Sequence, residues 1–216
     1  MTFPTVPPPT FATGFPFPGA PAPARKEDKA KDAPGAGQYR WRPTRRRYAR
    51  LRRAQDALGQ LPAPGEAVHF LVERFWDMAD LAEAIIRARA TPCEALTAAT
   101  LSFSARNAKQ LCSLIDAGLL RSLVLLSADY MAKANAKVYA QAVEELVTKR
   151  GMVLASARTH CKIDVLDWPG ESLVIETSGN LSSCRTLEQV AVINDAGLAA
   201  FHKGWINKLV ATGAQR

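Results

Sequence analysis

With 216 residues, 48% of them hydrophobic and 22% charged, the chain has apolar material for one full-sized core rather than two large domains. Its formal charge of +8 sits wholly in residues 1–60, where twelve Lys and Arg face four Asp and Glu, while residues 61–216 balance at sixteen of each. No apolar run approaches the roughly eighteen residues of a membrane-spanning helix, and the N-terminus has neither the basic start nor the apolar stretch of a secretion signal, so a cytoplasmic location with no membrane span is expected.

Residues 1–43 hold ten of the fourteen prolines and no helical or alternating apolar pattern, and they read as a disordered arm. From Thr44 to Gln60 a helix is expected, with Thr44 as N-cap, Tyr48, Leu51 and Leu58 on one side, and arginines over the rest. Pro62 and Pro64 close this basic helix and linker, residues 44–64, and residues 65–216 form the main domain. Runs rich in Val, Leu and Ile at His69–Glu73, Ala95–Phe103 and Ser122–Ser127 predict strands. Helical stripes alternate with them: Met78, Leu81, Ala82 and Ile85; Ala108, Leu111, Cys112 and Ile115, between Ser104 and Gly118; and Val138, Ala142 and Leu146, between Asn135 and Gly151. Such alternation requires crossover connections, so the expected fold is α/β with a mixed, largely parallel sheet flanked by helices. Past Gly151 come four closely spaced strands, Met152–Ala157, His160–Asp167, Leu173–Thr177 and Val190–Asn194, with Trp168-Pro169-Gly170-Glu171 as a turn. A closing helix carries Leu198, Phe201, Trp205 and Leu209 as its core stripe, and no internal repeat is visible.

Cys93, Cys112, Cys161 and Cys184 form no C-x-x-C pair, and the chain has three histidines, so a structural zinc site is not expected and the thiols read as reduced. Cys161 and Cys184 read as small buried hydrophobes. His69 and His202 read as structural or surface residues.

The run from His160 to Asp167 carries the most chemistry. Read as a strand, it puts His160 and Lys162 on one face and Cys161, Ile163 and Val165 on the opposite, buried one. A nucleophile or proton carrier thus stands beside a fixed cation. Asp167 has the buried parity and is given a supporting role. The next strand ends in Thr177-Ser178-Gly179-Asn180, where a hydroxyl, a carboxamide and backbone N–H groups suit phosphate oxygens while Lys162 supplies charge. Glu188, at the start of the following strand, is placed to orient His160 through its second ring nitrogen.

His160-x-Lys162-x4-Asp167, then Thr177-Ser178-Gly179-Asn180, then Glu188, resembles the H-x-K-x4-D, G-S-x-N and downstream Glu signature of the phospholipase D superfamily, over about His69 to Leu209. Thr177 stands where that family usually has Gly, and the gap before it is longer than the common spacing. The resemblance implies a phospholipase D-like fold and a phosphodiesterase that needs no metal or other cofactor. In that chemistry one His attacks phosphorus to form a phosphohistidine while a second protonates the leaving oxygen and later activates water. His160, Lys162, Asn180 and Glu188 are the implied catalytic residues, with Ser178 and Asp167 supporting. One motif and no repeat leave the second His to another copy of the chain, so a homodimer is expected.

Arg45, Arg46, Arg47, Arg50, Arg52 and Arg53, continuous with a Lys-containing arm, create a field that gathers polyanions. The helix has few large apolar residues to insert into a bilayer, which favours nucleic acid over an anionic lipid surface; DNA is the partner expected ahead of RNA. The expected activity is therefore that of an endonuclease. The alternatives are a lipid phosphodiesterase or phosphatidyl transferase, and a DNA-binding protein that keeps the fold without turnover.

Overall fold

Seven short runs rich in β-branched and aliphatic residues pair into one sheet: β1 (Ala67–Glu73), β2 (Ala95–Thr100), β3 (Leu123–Ala128), β4 (Val153–Ala157), β5 (Ile163–Trp168), β6 (Glu171–Thr177) and β7 (Leu187–Ile193). The computed structural model describes residues 43–73, 76–182 and 186–213. The expected arm up to residue 42, the side chains of Arg45, Arg46 and Arg47, and Cys184 lie outside the described residues.

The sheet order is β1-β7-β6-β5-β2-β3-β4. Only β2–β3 and β3–β4 pair in parallel; β2–β5, β5–β6, β6–β7 and β1–β7 are antiparallel. The sheet is mixed, as expected, but the expectation that it is largely parallel is corrected to a mostly antiparallel one. Connection length decides β5–β6 and β6–β7, since a parallel neighbour needs a crossover of about a dozen residues and these links are shorter; β2–β5 and β1–β7 are set by long-range packing. Pro169 and Gly170 alone join β5 to β6, with Gly170 at φ +78 in the position a type II turn reserves for a left-handed residue.

Six helices flank the sheet: α1 (Pro43–Leu58), α2 (Met78–Ala88), α3 (Ala105–Asp116), α4 (Asp129–Ala134), α5 (Ala136–Ala142), which runs on into a π-helical turn (Val143–Thr148), and α6 (Ala196–Gly213). Reciprocal capping boxes, Asp77 with Asp80 and Ser104 with Asn107, fix the starts of α2 and α3. Strand parity sorts the core into two layers. Leu96, Ala98, Leu125, Leu166, Leu173, Ile175, Val190 and Val192 face α1, α2, α3 and α5. Ala99, Leu126, Val165 and Val174 face α6. The sheet-facing side of α6 is Ala199, His202 and Ile206, whereas Phe201, expected in its core stripe, is 65% exposed. His202 occupies the inner face because its two ring nitrogens are taken up by Glu176 (2.9 Å) and the Trp205 indole N–H (3.0 Å).

α1 docks on the domain through buried Ala54 and Leu58 and half-buried Leu51. Beneath it α2 buries three carboxylates, Asp77, Asp80 and Glu83. Arg106 of α3 pairs with Asp77 and Asp80, Arg50 Nε lies 3.3 Å from Asp80, and Gln110 Nε2 donates to Glu83 (2.6 Å) and Asp80 (3.1 Å). Burial and the Asp80 charge still push the Asp77 carboxyl up to about 6. Among the described residues no helix is long and apolar enough to cross a membrane.

Candidate functional site

β2, β3 and β4 end at one edge of the sheet. Because β5, β6 and β7 alternate in direction, β5 begins, β6 ends and β7 begins at that same edge. The chain leaves β4 at Ala157 and enters β5 at Ile163, with β3 and β2 lying between those strands. Three strand spacings, roughly 14 Å, are bridged by a segment that can reach about 20 Å when extended. Residues 158–162 therefore run across the edge instead of along a strand, which corrects the expected strand start from His160 to Ile163.

The crossing brings the H-x-K pair together by a different route from strand parity. Lys162 Nζ donates to His160 Nδ1 at 2.8 Å and to the His160 carbonyl at 2.8 Å. His160 is exposed and Lys162 half-buried, and burial holds the Lys162 ammonium below its ordinary pKa while the Glu188 charge opposes that shift. Cys161, no longer constrained by a strand, is exposed rather than buried.

β6 delivers the second group. Thr177 N donates to the Lys162 carbonyl at 3.3 Å, so the end of β6 lies beside the His160 loop. Ser178 donates to Glu188 Oε2 and accepts from Gln189 N at 2.9 Å, and Thr186 donates to Glu188 Oε1 at 2.9 Å. Glu188 is thus held by Ser178 and Thr186, and not by His160 as expected; it acts on the pair through its charge on Lys162. Leu181 N donates to Thr100 Oγ1 at 3.2 Å, which folds the loop after β6 back over the end of β2. In that loop the Asn180 Oδ1 is buried without a hydrogen-bond partner. His160, Lys162, Ser178, Asn180 and Glu188 therefore share one edge.

Asp167 does not join them. It lies near the far end of β5, accepts from Ser172 Oγ (2.6 Å) and pairs with Lys203 of α6 (2.8 Å), a tether between helix and sheet. Arg50 is likewise committed inside the protein, to Asp80, whereas Arg52 is exposed on α1; Arg53 is exposed too but has an interaction of its own.

Two features of the edge escaped the sequence reading. Thr100, Ser127 and Ser156 stand in register across β2, β3 and β4 on one face, with the Tyr139 hydroxyl beside the two serines. One rung below, Asp164 of β5 is fully buried between Ala98 and Ile175, and desolvation pushes its carboxyl up to about 7. A hydroxyl at successive strand ends would have signalled the first. The second was hidden because the strand was read for its His and Lys, and position 164 was left without an assignment.

The chain matches no protein-family model and no curated protein. Among solved structures it is similar to phosphatidylserine synthase from Haemophilus influenzae Rd KW20, with 12% identity and a TM-score of 0.46. The likeness covers 67% of this chain and 38% of the synthase.

Proposed function

We propose that the chain is a phosphodiesterase that uses His160 as nucleophile and proton carrier, needs no metal ion, works as a homodimer and takes nucleic acid, DNA in the first instance, as substrate. The observation that carries this reading is the hydrogen-bonded His160–Lys162 pair lying on the same edge as Ser178, Asn180 and Glu188. In the free protein the Lys162 ammonium donates to Nδ1, so the neutral imidazole keeps its proton on Nε2. A phosphodiester entering the edge offers the ammonium a charged oxygen in its place. Nδ1 can then take the proton, and Nε2 is free to attack phosphorus. The P–Nε2 bond forms as the P–O bond to the leaving group breaks, and the leaving oxygen takes its proton from His160 of the partner subunit. Water, deprotonated by that same partner imidazole, then releases the phosphate. Asn180 and Lys162 neutralise the phosphoryl oxygens.

The exposed Arg52 favours a polyanionic substrate. Cleavage of a labelled oligonucleotide and turnover of a phospholipid, each with excess chelator and each with His160→Ala as control, test the reading. Oligonucleotide cleavage that His160→Ala abolishes is expected. Phospholipid turnover alone would transfer the site to lipid chemistry, and gel shifts without cleavage would leave a DNA-binding protein.

A further inference from the structure

The ends of β3 and β4 place an aromatic ring next to the His160 segment. Ala128, the last residue of β3, stands opposite Ala157, the last residue of β4, in the parallel ladder. From Ala128 the chain turns directly into α4, and from Ala157 it enters the 158–162 crossing. Adjacent strands lie roughly 4.8 Å apart, so Tyr130, two residues past Ala128, and Arg158, one residue past Ala157, leave the sheet as neighbours. His160 follows Arg158 by at most about 7 Å of chain. The first turn of α4 decides which way the ring points. Met131 is 1% exposed and belongs to the core, whereas Tyr130 beside it is 62% exposed. Lys133, three residues after Tyr130, shares the outward side and is exposed as well. Together α4, α5 and the crossing segment carry Lys133, Lys137, Arg158 and Lys162 against a single carboxylate, Asp129. Among the described residues Tyr130, Lys133 and Arg158 have no hydrogen-bond or ion-pair partner.

We infer that this stretch of the edge, Tyr130 with Lys133 and Arg158, binds a single strand of nucleic acid and leads its backbone to His160. The inference rests on the nucleic-acid reading above and deepens it by naming the form of the substrate. An exposed ring set among free cations suits unpaired nucleotides, because the ring offers a face on which a base stacks while the cations meet the phosphates. A duplex keeps its bases stacked on one another and presents only phosphates to this surface, so it would use Lys133 and Arg158 but gain nothing from Tyr130. A bilayer gains little here either. The exposed residues that follow Tyr130 along α4 and α5, among them Ala134, Asn135 and Ala136, are small or polar and supply no apolar face to bury in lipid. The position of Arg158, two residues before His160 in a segment with little slack, makes the cationic path continuous with the His160–Lys162 pair.

Fluorescence anisotropy of a labelled DNA oligonucleotide, alone and annealed to its complement, tests the proposal on the full chain carrying His160→Ala, so that binding is read without cleavage. Tyr130→Ala, Tyr130→Phe and Arg158→Ala are added to that chain one at a time. Both positions are exposed, so folding is expected to survive, and circular dichroism checks it. Tyr130→Ala should weaken single-strand binding by about 10-fold or more and leave duplex binding little changed, while Tyr130→Phe, which keeps a ring, should stay close to the parent. Arg158→Ala should lower the slope of log affinity against log salt for the single strand by about 0.7, the share of one phosphate contact. Single-strand affinity unmoved by Tyr130→Ala, or a slope unmoved by Arg158→Ala, overturns the proposal. Oligonucleotide cleavage by wild type that His160→Ala abolishes would then leave the nucleic-acid reading standing. Failure to bind either form of DNA overturns both. Phosphatidylglycerol vesicles that the parent binds and Tyr130→Ala does not, with single-strand affinity intact, assign the ring to a lipid surface and also overturn the proposal.

Discussion

Asp164 offers the sharpest test of the packing argument. It lies in the middle of the sheet between Ala98 and Ile175, fully buried, with desolvation as the cause of a carboxyl held at about 7 against an ordinary 3.8. The folded chain therefore binds this proton more tightly than the unfolded chain. Below about pH 4 both states are protonated and the group is neutral toward stability. Between pH 4 and 7 the unfolded chain releases the proton while the folded chain keeps it, so stability falls by up to about 1.4 kcal/mol per pH unit. Above pH 7 the loss levels off at about 4 kcal/mol, roughly three pH units of differential proton affinity. Asp164→Asn removes the ionisation without changing the shape, and Asp164→Val removes the polar group as well. Urea unfolding followed by tryptophan fluorescence at about pH 3, 6 and 8.5 should give nearly equal stability for wild type and Asp164→Asn at the lowest pH. The variant should gain about 4 kcal/mol over wild type at the highest. Parallel pH profiles for wild type and both variants would mean that the carboxyl is solvated or paired in solution, and the desolvation argument would fail.

Arg106→Ala should cost about 2–3 kcal/mol in the same unfolding assay, because it strands Asp77 and Asp80 beneath α1; the partial exposure of Arg106 keeps the loss below that of a fully buried pair. A change under about 0.5 kcal/mol would show that Arg50 and Gln110 suffice. Oligonucleotide cleavage should continue in millimolar chelator, and restoration by magnesium after its loss would refute the two-histidine chemistry. Arg52→Glu should weaken DNA binding and lower the slope of log affinity against log salt by about one, with hydrolysis of a small phosphodiester unchanged; an unaltered slope would remove α1 from the interface. Deleting residues 1–42 is the appropriate way to probe the N-terminal charge, because a cut at residue 60 would also remove Ala54 and Leu58 from the core.

The elements were legible where local pattern decides them. Ser104 caps α3 as its sequence suggests, Pro169-Gly170 turns β5 into β6, and the stripe Met78, Leu81, Ala82, Ile85 is buried in α2, although the positions between them are buried as well. Pairing direction was not legible, because it depends on which strand β5 adds to, a choice made by long-range packing. The candidate site divides in the same way. The proximity of His160 and Lys162 follows from a spacing of two, yet a crossing loop produces it, and the loop leaves Cys161 exposed where strand alternation buries it. Glu188 was expected on His160, but Ser178 and Thr186 compete for it locally. The partner of Asp167 is Lys203, thirty-six residues on, which no short motif can reveal.

The segment 158–162 is also the shorter of two covalent links between the parallel half of the sheet and its antiparallel half, the other running from β1 through α2 to β2. With roughly 14 Å to cover and about 20 Å of reach, it has little slack, so its length sets where His160 rests much as a short strap sets where a buckle falls. Lengthening the segment by two or three residues would leave every strand pairing intact and yet let the imidazole drift from the edge that holds Ser178 and Asn180. On the proposed reading of the site the fold would tolerate a looser strap and the chemistry would not, so selection for turnover rather than for stability would keep this connection short.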